Sequence, residues 1–278
     1  MTSFSIRRSS VLPGFGLSLG YTLVYLSLIV LLPLGALVLN AGGLGLSGLV
    51  NIGLQPRVFA ALKTSFTLAL AAAAVNVVFG LIVAWVLTRY DFPGRRLLDA
   101  AVDLPFALPT AVAGIALTAI YAPNGPIGAL LAPLGWKIAF TPLGIVVALV
   151  FIGLPFIVRT VQPVIRDLER DVEEASASLG AGRLDTLRRV VLPTLAPALL
   201  TGFALAFARG VGEYGSVIFI AGNVPFVSEI APLLIVVKLE EFNYEGATAI
   251  ALWMLALSFL ILLSINLIQA VSRRRFGK

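Results

Sequence analysis

Long apolar runs with few or no charged residues alternate along this chain with short charged segments. The first run, Leu17 to Leu39, lies in the uncharged interval between Arg8 and Arg57 and is broken by Asn40-Ala41-Gly42-Gly43. A second, rich in alanine, fills the interval from Lys63 to Arg89, and a third extends from about Ala100 to Tyr121 and includes Asp103. The fourth lies between Lys137 and Arg159, the fifth from about Ala196 to Ala221, and the sixth between Glu245 and Arg273. Each approaches the roughly 20 residues that a helix needs to cross hydrocarbon. None alternates with the two-residue period of a barrel strand, so the pattern predicts six transmembrane helices forming one domain over residues 1–278.

Composition agrees with an all-α integral membrane protein. Hydrophobic residues make up 59% and charged residues 12% of the chain, whereas soluble domains carry about 25% charge. Cysteine and histidine are both absent. That excludes disulfides, thiol nucleophiles and the usual general base, and no metal-ligand cluster is evident. A membrane enzyme is therefore a weak reading.

The net charge of +6 would suggest a nucleic-acid partner in a soluble chain. Here its distribution gives orientation instead, with the lipid membrane as the surroundings. With six spans, Arg7, Arg8, Arg89, Arg95, Arg96, the arginines from Arg159 to Arg189, and Arg273 to Lys278 share one side. Only Arg57, Lys63, Lys137 and Lys238 fall opposite, and Arg209 lies inside a span. The positive-inside rule puts both termini and the Arg159–Pro193 loop in the cytoplasm. The first apolar run is too long for a signal peptide and reads as a retained helix.

One charged island, Arg159 to Pro193, holds about a third of the charged residues and must project into water. A helix is expected from Pro163 to about Leu179, ended by Gly180, followed at an angle by a shorter one from Arg183 to Val191. Pro193 and Pro197 then stand at early positions of the fifth span. On this pattern alone the island is either an amphipathic loop at the headgroups or a docking surface, with the coupling region about 163–195.

Glu174-Ala175-Ser176, then Gly180, then Val190-Val191-Leu192-Pro193 resembles the EAA signature of bacterial ABC-importer permeases. Ser176 replaces an alanine and Val190 an isoleucine. The resemblance implies that Glu173, Glu174, Ala175, Ser176, Gly180, Val190, Leu192 and Pro193 form a coupling surface that docks in a cleft of a cytoplasmic ATPase. The stretches Leu87–Leu117 and Phe207–Asn223, with the start at Leu12, are similar to the T-type permease subunit of sulfate/thiosulfate importers. Molybdate permeases share Gly212-Glu213-Tyr214-Gly215 and Ala221-Gly222-Asn223, while Asp103 to Thr110 favours the sulfate branch. The resemblance implies the ABC type I importer permease fold, a second homologous permease, a dimer of ATP-binding subunits and a periplasmic sulfate-binding protein. It implies no cofactor in this chain, with ATP and Mg in the partner ATPase.

The residues agree that ATP chemistry lies elsewhere, since the phosphate-cradling Gly-x4-Gly-Lys-Ser/Thr pattern is absent. A secondary anion transporter, the rival class, would be expected to show internal repeats, and none stands out. Within the spans, Arg209 and Glu213 are one turn apart. They either offer a transient site to an anion or neutralise each other to hold the bundle. Asp103 is read as a helix cap or an arginine's partner, Asn76 as a hydrogen bond to a neighbouring helix, and Thr110 as a further intramembrane polar group. Pro105, Pro109, Gly210, Gly212 and Gly215 mark kinks or close helix approaches. Part of the segment from Pro225 to Tyr244 is expected to re-enter the transport pathway or contact the binding protein.

Overall fold

The computed structural model describes residues 14–276, without the side chains of Arg170 and of residues 270–276. The Arg7-Arg8 pair, the Leu12-Pro13 start and the terminal Gly277-Lys278 lie outside it, as do the side chains of Arg273 to Arg275. Among the described residues all regular structure is helical. Six stretches are long and apolar enough to cross a membrane. They are α1 (Phe15–Gly42), α3 (Pro56–Arg89), the broken segment Thr110–Leu134, α8 (Pro142–Asp167), α10 (Arg183–Val211) and α13 (Tyr244–Phe276). Shorter helices join them: α2 (Gly45–Gly53), α4 (Arg95–Val102), α5 (Leu104–Ala107), α9 (Arg170–Ser178), α11 (Val217–Ile220) and α12 (Ala231–Glu240). Within Thr110–Leu134, Thr110–Tyr121 is α6 and Pro126–Leu131 is α7.

Helices α3, α8 and α10 pack together as the core. Small residues let them approach. A Cβ on Gly80 of α3 would lie 2.7 Å from Ile157, and one on Gly202 of α10 would lie 3.0 Å from the Ile157 backbone. Ile157, fully buried, is a knob seated between two glycines. α1 is different: it is apolar all round and exposed along nearly its whole length, touching the bundle chiefly through α13.

Several boundaries differ from the sequence expectation. The third span begins at Thr110, because the chain is extended at Leu108 and Pro109, as residues at and before a proline tend to be. Asp103 therefore lies outside the spans, between α4 and α5. The helix expected from Pro163 to Leu179 is two helices, separated where Leu168 and Glu169 turn extended. Nor is Arg183–Val191 a separate helix at an angle. It is the first part of α10, joined by one wide turn in which Leu192 N–H donates to the Leu187 carbonyl, five residues back. Pro193 follows and has no N–H for the ordinary ladder; the same wide turn precedes Pro33 in α1. At its other end α10 stops at Val211, so Glu213 lies just past the helix.

Candidate functional site

The island is a compact shelf held to the bundle at two points. Arg89, the last residue of α3, donates from Nη2 to Glu173 Oε1 (2.7 Å) and to the Leu168 carbonyl (3.1 Å). Its guanidinium also lies 5.3 Å from the Trp85 ring. Ser176 of α9 shares a 2.9 Å hydrogen bond with Thr186 of α10. Gly180 has φ +83°, the left-handed conformation that ends α9 and turns the chain towards α10. Val172 and Leu179 stay largely exposed and Glu174 points outward, so α9 carries a mixed surface with nothing over it among the described residues. Val190 and Leu192 sit half-buried at the wide turn of α10, while Pro193 begins its regular part.

A second polar centre lies at the same end. Arg159 of α8 donates Nε and Nη2 to the two carboxylate oxygens of Asp103 (2.8 and 2.6 Å), a forked pairing. Its Nη1 reaches Asp99 Oδ1 (2.8 Å) and Gln162 Oε1 (2.7 Å), and Gln162 Nε2 donates to Asp99 at 3.0 Å. The Gln162 bond first, then Arg159, holds the Asp99 carboxyl below the usual carboxylate range, partly opposed by burial. Of its two expected roles, Asp103 takes that of arginine partner and makes no side-chain cap bond. Sequence reading missed Arg159, Asp99 and Gln162. The available signal was Asp99 and Asp103 four apart on one helical face, opposite a lone arginine at the end of the next span.

Arg209 and Glu213 come together as their spacing implies, Nη1 to Oε2 at 2.7 Å. Glu213 is buried, and its other oxygen accepts from the Ser216 backbone N–H (2.9 Å) and hydroxyl (3.0 Å). Arg209 keeps 38% of its side chain exposed. Thr110 packs at the start of α6 against Gly215, where a Cβ would strike its hydroxyl. Asn76 departs from expectation. It is fully buried, yet neither amide atom has a partner among the described residues. Its amide packs against Gly153 of α8, where a Cβ would lie 2.5 Å from Nδ2.

At the opposite end, Arg57 grips buried Glu229 through two hydrogen bonds (2.9 and 2.7 Å). Glu229 precedes α12, which re-enters the bundle against α3 and α13, with Ala231 N–H donating to Ser65 Oγ at 2.8 Å. Gly222 and Asn223 are both left-handed, and Asn223 Nδ2 donates to the Ile218 carbonyl. The Ala221-Gly222-Asn223 element is thus a tight turn.

These features define a helical, multi-pass membrane protein with a core of close-packed helices and a charged helix held outside it. The chain belongs to the family of binding-protein-dependent transport system inner membrane components, whose sequence model matches residues 76–278. It is 51% identical over 278 residues to the sulfate transport system permease protein CysT of Salmonella typhimurium, covering 100% of this chain and 98% of that protein. Against the CysT of Escherichia coli the identity is 50% over 275 residues, covering 99% and 98%. A probable sulfate permease of Nephroselmis olivacea is 51% identical over 256 residues, covering 92% and 90%. Among solved structures, a bacterial alginate ABC transporter in complex with its pentasaccharide-bound periplasmic protein matches with TM-score 0.75 at 16% identity, over 94% of both chains. The inward-facing MetNI methionine ABC transporter matches with TM-score 0.56 at 19% identity, over 79% of this chain and 99% of that one. At such identities the likeness is one of fold, that of the membrane subunits of ABC importers.

Proposed function

We propose that this chain is the membrane-spanning subunit of an ATP-driven importer of sulfate or thiosulfate. The observation that carries the reading is half-identity along the entire length to permeases named for sulfate transport. The chain sits in the bacterial inner membrane with both termini and α9 in the cytoplasm, an orientation that the arginine distribution supports. It pairs with a second homologous permease. A dimer of ATP-binding subunits docks on α9 through Glu174, Ala175 and the surface around Gly180, and holds the ATP and Mg. A periplasmic sulfate-binding protein delivers the anion to the opposite face.

The geometry supports a coupling route. Movement of α9 pulls on α3 through Glu173–Arg89 and on α10 through Ser176–Thr186, and these are two of the three core helices. A change at the docking surface thereby reaches the place where the helices open or close. Arg209, partly exposed beside buried Glu213, is the positive group best placed to meet an oxyanion in transit.

The test is uptake of radiolabelled sulfate into vesicles bearing the chain and its partners, with and without internal ATP. ATP-dependent uptake blocked by excess thiosulfate and indifferent to molybdate is expected. Uptake that ignores ATP and follows an ion gradient would overturn the reading.

A further inference from the structure

Beside the Arg159 centre lies a cavity of about 560 Å³ that the transport reading does not use. Phe92, Arg95 and Arg96 form one wall, and Arg166 of α8 faces them. Most of its charge is already engaged. Asp91 pairs with Arg95, and Asp99 is bonded to Arg159 and Gln162. Arg96 and Arg166 are exposed and form no ion pair among the described residues, although Arg166 lies within the field of Asp99. Two guanidinium groups with spare donors across an open cavity suit an oxyanion, because their forked N–H groups match phosphate geometry.

Position indicates where that anion comes from. Next to Arg96 on α4 stand Leu97 and Leu98, 75% and 54% exposed. α4 joins the end of α3 at Arg89 to the start of the next span at Thr110, at the level of the span ends. Bare leucines beside arginines on a short helix at that level are the pattern of an interfacial segment, with apolar side chains in the acyl boundary and cations among headgroups. We propose that this cavity holds the phosphate of an anionic membrane phospholipid between Arg96 and Arg166, with its acyl chains along Leu97 and Leu98. The lipid braces α4, and through it the Asp99–Arg159 contact. The site is independent of what the protein transports.

The full-length chain, purified in neutral detergent, is loaded with phosphatidylglycerol or phosphatidylcholine, and retained lipid is counted by native mass spectrometry. A basic residue near an anionic headgroup contributes roughly a fivefold preference, so Arg96→Gln with Arg166→Gln should lower phosphatidylglycerol retention about 30-fold. Phosphatidylcholine should be unaffected. Arg188→Gln with Arg189→Gln, exposed arginines at the same end but outside the cavity, should leave both lipids unchanged. Should the glutamine pair not fold, the lysine pair, which keeps charge and loses the fork, should still show a several-fold loss. Equal loss in cavity and control variants would mean unspecific attraction and would overturn the proposal. Displacement of phosphatidylglycerol by millimolar inorganic phosphate or sulfate would mark a free-anion site and overturn the lipid assignment. So would unchanged lipid retention in a cavity variant that instead no longer co-purifies with its ATP-binding subunits.

Discussion

Buried Glu213 accepts three polar contacts, from Arg209, the Ser216 amide and the Ser216 hydroxyl. The asymmetry of the pair sets the outcome of mutation. Removing Arg209 leaves a carboxylate only 2% exposed, whereas removing Glu213 leaves an arginine that is 38% exposed. Breaking a buried pair costs about 3–5 kcal/mol. With Arg209 over a third exposed, Arg209→Ala should destabilise the chain by about 2 kcal/mol, measured by thermal unfolding in detergent. Adding Glu213→Gln should restore most of that stability, since no charge is then stranded and the carbonyl still accepts from Ser216. Uptake separates the two expected roles. Recovery of both stability and uptake in the double variant assigns the pair to holding the bundle, and recovery of stability alone assigns Arg209 to the anion. The four-residue spacing made this pair legible in sequence. Ser216 was not, because it reaches Glu213 only after the chain leaves the helix at Gly212.

Among the elements, α9 would connect the proposed docking surface to the core, and Arg89 is its tie to α3. Arg89→Ala and Glu173→Ala both remove the Arg89–Glu173 contact, and Arg89→Ala also releases the Leu168 carbonyl and the Trp85 ring, so it should be at least as damaging. Both should keep most ATPase activity in the assembled transporter while uptake falls several-fold, and the double variant should be no worse than Arg89→Ala alone, as for residues acting as one unit. Additive losses would mean that the two serve separate roles. Glu174 points outward, so Glu174→Lys should weaken association with the ATP-binding subunits and leave unfolding unchanged. Gly180 supports the same shelf: its φ of +83° makes Gly180→Val cost about 1–2 kcal/mol locally. The shelf was legible in outline, because charge density and Gly180 placed it. Its division at Leu168–Glu169 was not, since Leu168 is pinned by Arg89 from a helix 79 residues away in sequence. Pro193 misled for a related reason. A proline after a polar stretch reads as a helix start, yet one wide turn absorbs it and α10 runs on through it.

Across the molecule, charge sits at the two ends of an apolar bundle, as the Arg57–Glu229 clamp and the Arg159 and Arg89 centres. The six spans could be read from charge-free intervals because burying a charge in lipid is costly wherever it occurs. Span ends were less legible; Asp103 stands outside because the chain turns extended at Leu108 and Pro109 and the third span starts only at Thr110. This distribution has a consequence for pH. With no histidine or cysteine in the chain, no side chain has an ordinary pKa between 5 and 8. Asp99, at the same end of the bundle as α9, is held below its ordinary value by Gln162 and Arg159. Such a group stabilises the fold fully above its unfolded pKa and loses that contribution as pH falls through the folded one. Thermal stability should therefore be nearly flat from about pH 8 to 5 and decline only below about pH 4. Asp99→Asn should unfold at lower temperature than the parent at neutral pH, and the gap should close on acidification below about pH 4. A gap that stays constant would mean that the Asp99 carboxylate does not stabilise this end of the bundle.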